Sequence, residues 1–277
     1  MTRFNICLVK PDNYIHSYAF LELGELLYFS LKELGHEVGF GFNNMEPSAS
    51  NILIGCHLLD PSFIAQIPAS TIILNTEQVY GETDWNKPIF AWAKHFQIWD
   101  YSPKNIAKFN QLGIDRTKLF KIGFQKELAR LDSGVPKEID VLFYGSVNER
   151  RKVILDGLEA KGLKVKVLFG VYGKERDEWV ERSKVVLNHH YYESQLFEIV
   201  RVFYLLTNSV AVVGEVNKTT SIDPIYQDGI YAAQYEDLID HCVELVNNQQ
   251  LRDQIQLRAL QSISQYPQAS YTQEVLM

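Results

Sequence analysis

Short apolar runs alternate along the chain with amphipathic stretches. Runs at 4–9, 37–42, 51–54, 71–74 and 96–99 have the length and β-branched or aromatic content of buried strands. Between the first two, Tyr18, Leu21, Leu26, Phe29, Leu31 and Leu34 form a helical pattern that stops at Gly35. A second helix is predicted over 87–94, and Ser102 followed by Pro103 reads as the cap and first residue of a third.

The pattern loosens over 123–137, where charges mix with Gly and Pro as in a linker. Alternation then resumes: strand 139–144, helix 148–160, strand 163–169, helix near 175–182, strand 185–187 and helix 195–206. After a further apolar run and the polar stretch KTTSIDP come a short strand around 229–232 and helices over 235–247 and 250–264. Strands alternating with helices imply parallel sheets with right-handed crossovers. The expected fold is therefore α/β, with two Rossmann-like parallel-sheet domains: 1–125, a linker at 126–137, and 138–277, the last helix free to pack back on the first domain.

In an open parallel sheet, ligands gather at the carboxyl ends of the strands. Two such ends in the second half are rich in polar residues. Asn188, His189 and His190 emerge after strand 185–187, and the following helix carries Leu196, Ile199, Val200, Phe203 and Leu206 on one face, with Glu198 and Arg201 on a neighbouring one. His190 and Glu198 can thus border one cleft. After strand 139–144 the turn runs Gly145, Ser146, Val147, Asn148, Glu149, Arg150, Arg151, Lys152. A glycine turn feeding a helix N-terminus, followed by arginines, suits phosphate; a solvated basic helix face is the alternative. In the first half, strand 71–74 runs into Asn75, Thr76, Glu77 and Gln78, which read equally as a solvated loop or as part of a site.

Composition narrows the function classes. At 277 residues, with 46% hydrophobic and 22% charged positions, the chain can bury a core in each half. A net charge of −7 argues against general nucleic-acid or anionic-lipid binding while leaving room for a local basic pocket. Cys7, Cys56 and Cys242 are scattered and read as reduced core residues, with no disulfide frame and no metal-ligand spacing. The start, MTRFNICLVKPD, lacks the apolar stretch of a signal peptide, and no window reaches the roughly 20 apolar residues of a spanning helix, so a cytoplasmic protein is expected. The first strand–helix crossover lacks G-x-G-x-x-G, which disfavours a dinucleotide dehydrogenase.

YGSVNERR, SKVVLNHHYYES and LFEIVRVFYLLTNSVAVVGE, set in this alternation, resemble the GT-B glycosyltransferases, in particular the family-4-like group. The resemblance implies a nucleotide-sugar donor held mainly by the second half and an acceptor, whether glycan, peptide or small molecule, on the first half across an interdomain cleft. No cofactor or metal is expected, because arginines, lysines and helix N-termini stabilise the leaving diphosphate. That group has two Glu separated by seven residues, the later one on the ribose. Glu198 fits the later position, but His190 stands where the earlier Glu would be, leaving the stereochemistry open. Asn188, His190, Tyr191, Tyr192, Glu198 and Arg201 are similar to a subgroup with Asn-x-His-Tyr-Tyr before the helix and Glu-x-x-Arg within it.

The candidate donor-binding residues are therefore Gly145, Ser146, Asn148, Arg150, Arg151, Lys174, Asn188, Tyr191, Tyr192, Glu198, Arg201 and Glu215. Glu198 could instead pair with Arg201 on its own helix, Arg201 could hold Glu215, and the two tyrosines could simply pack. Catalytic candidates are His190 and, as strand-end groups of the first half that could serve the acceptor, Asp12, His16 and Glu77. Asp12 could equally be a turn residue and His16 a helix-start residue. A non-catalytic nucleotide-sugar-binding module is the competing reading, kept open by His190. A bilobal solute-binding protein is a third, and would need export.

Overall fold

The computed structural model describes residues 1–79, 87–191 and 196–277. The chain divides into two compact units, one comprising Met1–Gln125 with Pro267–Met277 and the other Lys126–Tyr266.

In the first unit the strands are β1 (Arg3–Leu8), β2 (Glu37–Phe42), β3 (Ser50–Ile54), β4 (Ile72–Asn75), β5 (Gln97–Asp100) and β6 (Thr117–Leu119), and the helices are α1 (Leu21–Glu33), α2 (Lys87–Ala93) and α3 (Pro103–Gln111). All pairings are parallel, in the order β2-β1-β3-β4-β5-β6. The chain after β1 crosses to one side of it, through α1 to β2, and then returns to the other side as β3. That reversal leaves a crevice at the carboxyl ends of β1 and β3, where the connecting loops part. Ile6, Leu53, Ile73 and Ile98 are buried at the sheet centre, and Trp92 stacks on Phe96 beneath it. Ser102 caps α3 by accepting from the Asn105 amide at 3.3 Å, with Pro103 at the first helical position.

The helix pattern that begins at Tyr18 is interrupted. Residues Ile15–Phe20 form a 3-10 segment before α1. The C-terminal helix, Gln268–Leu276, completes the same unit: the Gln268 side chain accepts from the Gly123 amide at 2.7 Å, and Ser30 and Thr272 hydroxyls meet at 2.8 Å. Neither that helix nor β6 stands out in the sequence. β6 is a three-residue edge strand, TKL, with a single apolar residue that is itself exposed.

The second unit has β7 (Ile139–Tyr144), β8 (Val165–Leu168), β9 (Ser183–Asn188), β10 (Val212–Glu215) and β11 (Tyr231–Ala233), in the parallel order β11-β10-β9-β7-β8. Its helices are α4 (Glu149–Ala160), α5 (Gly173–Glu181), α6 (Ile199–Thr207), α7 (Pro224–Gly229), α8 (Leu238–Asn247) and α9 (Gln249–Ser264). The reversal of strand order here falls between β7 and β9. Val141, Phe143, Val185, Leu187 and Val213 line one face of the sheet against Leu155, Leu158, Leu238 and Leu245 from the helices. The loose stretch after 125 is held within this unit: the Asn208 side chain accepts from the Arg130 and Leu131 amides and donates to the Leu128 carbonyl.

Candidate functional site

The crevice between β7 and β9 collects charge. Gly145, directly after β7, has φ 136°, a conformation that disfavours any side chain. A Cβ there would lie 3.0 Å from Arg201 Nη2 and 3.6 Å from Arg151 Nη1, so two guanidinium groups converge over the turn. Asn148 caps α4, accepting from the Arg151 amide at 3.0 Å and donating to the Tyr191 carbonyl at 2.8 Å. The turn after β7 is thereby tied to the loop after β9.

Each arginine is held in its own way. Arg150 grips the fully buried carboxylate of Glu215 with both terminal nitrogens, one bond at 2.8 Å, while stacking on Tyr235 at 4.0 Å. Arg151, only 4% exposed, donates to the carbonyls of Ser146 and His189 at 2.8 and 2.7 Å and lies over the Phe143 ring. Arg201 donates to Asn188 Oδ1 at 2.8 Å and lies over Tyr144. Burial and the neighbouring Arg201 bring Arg151 down to about 10, which still leaves it cationic at neutral pH.

Glu198 sits among them. Its carboxylate accepts from Asn188 Nδ2 at 3.1 Å, meets His190 Nδ1 at 3.1 Å and lies 3.6 Å from Arg151. Burial by itself would raise its pKa, but His190, Arg201 and Arg151 outweigh burial and hold it at about 2, so it is ionised. His190 is fixed at three points: its amide donates to Glu215 at 2.9 Å, Nδ1 faces Glu198, and Nε2 faces the Thr220 hydroxyl at 3.4 Å. His189 is buried against Phe143 with neither ring nitrogen hydrogen-bonded, and burial pushes its pKa to about 3. It is neutral.

Two sequence expectations are corrected here. Helix α6 begins at Ile199, so Glu198 is its N-terminal flanking residue and does not share a helix face with Arg201. Arg201 does not hold Glu215. That role falls to Arg150, which approaches from α4, while Arg201 turns to Asn188. Tyr191 is 36% exposed with its ring 5.2 Å from the Arg151 guanidinium, Ser146 is exposed, and Lys174 is exposed in the first turn of α5. Tyr192 lies outside the described residues.

The crevice between β1 and β3 has a different make-up. His57 follows β3 with its side chain 3% exposed, and Nε2 lies 3.6 Å from Glu77, which follows β4. Burial lowers His57 to about 4, so a neutral imidazole faces the carboxylate. Tyr14, after β1, is raised by burial and by Glu77. His16 sets its ring edge against Tyr14 at 5.3 Å, and Asp12 is an exposed turn residue. Beneath Glu77 lies the buried Asp100 at the end of β5, which accepts from Asn75 at 2.7 Å, the Ser102 amide at 2.7 Å and Asn105 at 3.1 Å. Burial raises Asp100 to about 7 despite those donors. His57 and Asn105 carry no motif. The one signal for His57 is its place just past a strand's carboxyl end.

No family model matches the sequence. One uncharacterized protein of Acanthamoeba polyphaga mimivirus is 28% identical over 213 residues, 75% of this chain and 29% of its own length. A second from the same virus is 30% identical over 186 residues, 64% of this chain and 59% of its own. The chain thus spans less than two thirds of each of these relatives. Among solved structures, T4 phage BGT in complex with UDP and Mn2+ superposes with a TM-score of 0.65 at 14% identity, covering 99% of this chain and 98% of that one. AviGT4, a glycosyltransferase involved in avilamycin A biosynthesis, gives 0.58 at 13% identity over 100% and 96%. WaaG, a glycosyltransferase involved in lipopolysaccharide biosynthesis, gives 0.56 at 12% identity over 98% of each chain. Such identities establish the fold, and that fold is GT-B: two parallel-sheet α/β units like those of the glycosyltransferases. No helix among the described residues is long and apolar enough to cross a membrane.

Proposed function

We propose that the protein is a glycosyltransferase whose second unit binds a nucleotide-sugar donor in the β7–β9 crevice. The observation that carries this is the convergence of Arg151 and Arg201 over the Gly145 turn, beside the ionised Glu198. Two guanidinium groups, one buried and one half-buried, each from the first turn of its helix, suit a diphosphate, and a carboxylate one loop away suits the paired hydroxyls of a ribose. One fold neighbour, T4 phage BGT, was captured with UDP-glucose, which makes that compound the first donor to test.

In the reaction, the acceptor oxygen forms a bond to the anomeric carbon while the bond from that carbon to the diphosphate oxygen breaks. The nucleoside diphosphate leaves with the electron pair, its charge met by Arg151 and Arg201. The acceptor's hydroxyl proton passes to a base, for which we propose Glu77 of the first unit. Within this proposal the guanidinium groups do the work of charge neutralisation without a metal, so transfer persists in EDTA.

The test is a thermal shift with UDP-glucose followed by a transfer and hydrolysis assay. Stabilisation should grow with ligand over its dissociation constant, and Arg201→Ala should abolish it. No shift with any nucleotide sugar at millimolar concentration sinks the donor assignment. A second reading, a donor-binding module without turnover, is favoured by one observation: His190 and Glu198 already satisfy one another at 3.1 Å. Binding without hydrolysis or transfer would decide for it.

A further inference from the structure

Four polar side chains under the β4 and β5 strand ends form a closed arrangement that the donor site does not use. Asp100 is fully buried, and so are Asn75 and Asn105. The Asn75 side-chain amide donates both to Asp100 Oδ2 at 2.7 Å and to the Glu77 carbonyl at 2.8 Å. The Asn105 amide donates to the same Glu77 carbonyl at 3.0 Å and to both Asp100 oxygens at 3.1 and 3.2 Å. Asn75 Oδ1 accepts from the Glu77 amide at 3.3 Å, and Asn105 Oδ1 from the Val79 amide at 3.2 Å. Ser102 ties the base of the arrangement, its backbone amide donating to Asp100 and its hydroxyl accepting from the Asn105 backbone amide.

The backbone of residue 77 is therefore gripped at its amide and, twice, at its carbonyl, and both amides that hold the carbonyl are oriented by one carboxylate. Burying an ionisable group at the end of a strand is costly, and an apolar residue would fill the space without that cost. What the acid group adds is direction: its oxygens accept from the side-chain amides of Asn75 and Asn105, which sets those N–H groups inward and the amide oxygens toward the 77–79 backbone. The side chain so presented, Glu77, points toward the buried His57 at 3.6 Å.

We infer that Asp100, Asn75 and Asn105 are positioning residues that hold the Glu77 carboxylate, beside His57, for a hydroxyl-bearing acceptor at the carboxyl edge of the first unit. The inference rests on the glycosyltransferase reading. Asp100 touches neither acceptor nor donor and acts through Glu77.

A double-mutant cycle on UDP-glucose turnover, with water as the acceptor, tests this. Glu77→Gln should lower kcat at least 100-fold and Asp100→Asn about 10-fold, each leaving the KM for UDP-glucose unchanged. In the Glu77→Gln background, Asp100→Asn should then cost nothing further, because a positioning residue has no effect once the group it positions is gone. Should Asp100→Asn fail to fold, Asn105→Ser replaces it in the same cycle with the same expectation. Equal effects of Asp100→Asn in both backgrounds, or an unchanged kcat in either single variant, overturn the inference and leave the donor assignment standing. Tight UDP-glucose binding with no turnover by the wild-type protein also overturns it, in favour of the binding module. Absence of nucleotide-sugar binding overturns the glycosyltransferase reading and the inference together.

Discussion

The two units solve the same geometrical problem with opposite chemistry. In each, the strand order reverses beside the unit's first strand, between β1 and β3 in one and between β7 and β9 in the other, and each crevice opens at carboxyl ends. The second unit fills its crevice with Arg150, Arg151 and Arg201 around the Glu215 side chain and the ionised Glu198. The first fills its crevice with a neutral imidazole, the Glu77 carboxylate and the amides around Asp100. A half-buried carboxylate among His190 and two arginines is driven down to about 2, and one fully buried among amides is driven up to about 7. Fold position thus fixes where a site lies, and the charge of its neighbours fixes what it can bind.

The sharpest way to break the comparison is to remove an internal counter-ion from the basic crevice. Glu215→Ala leaves Arg150 partly buried without its carboxylate and frees the His190 amide. The expected loss is about 3–5 kcal/mol, read from denaturant unfolding. Next, Gly145→Ala forces a side chain into a positive-φ turn under two guanidinium groups. It should cost about 1–3 kcal/mol of stability and more than tenfold in UDP-glucose affinity, measured by calorimetry. An unchanged affinity would detach the turn from the donor site.

Glu198→Gln removes a charge-assisted acceptor, with about 1.5–3 kcal/mol lost from donor binding. Smaller and more diagnostic is the pH dependence, because the shifts of the two carboxylates, Asp100 and Glu198, have opposite signs. Asp100 has a folded pKa of about 7 against an ordinary value of 3.8, so the folded state holds the extra proton between them, and stability falls as pH rises through that window. Glu198 has a folded value near 2 against 4.5, so its contribution is present above pH 4.5 and is lost as pH falls toward 2. Unfolding measured from pH 2 to pH 8 should show the upper slope flatten in Asp100→Asn and the lower slope flatten in Glu198→Gln. Finally, Lys174→Ala, on an exposed helix start, should move stability by less than about 0.5 kcal/mol. A tenfold loss of donor affinity in that variant would bring Lys174 into the site.

The central strands were legible because buried parallel strands are nearly continuous apolar runs, as in 139–144, which matches β7 residue for residue; 37–42 matches β2 as closely although that edge strand is only half-buried. The Ser102 cap was legible because capping is local chemistry. What escaped the sequence depends on contacts between distant positions. The Arg150–Glu215 pair joins residues 65 apart, and no local pattern separates it from the Arg201–Glu215 pairing, since both arginines sit in the first turn of a helix that follows a strand. Helix α6 starts late because the chain must leave β9 and bring Glu198 back to Asn188 and His190 before it can wind, a constraint of tertiary geometry that periodicity does not carry. His57 and Asn105 were silent for a similar reason: each meets Glu77 only after β3, β4 and α3 have been brought side by side.

The return of residues 267–277 to the first unit has a consequence for the order of events during synthesis. Lys126–Tyr266 is contiguous and can close its sheet as soon as it has left the ribosome. The unit begun first has all six of its strands by residue 119 but is still without its last helix, because Gly123, Lys118 and Ser30 await partners on Gln268, Val275 and Thr272. Of the two units the amino-terminal one is therefore begun first and completed second, and a fragment ending at residue 125 would present a helix-binding face still waiting for its helix.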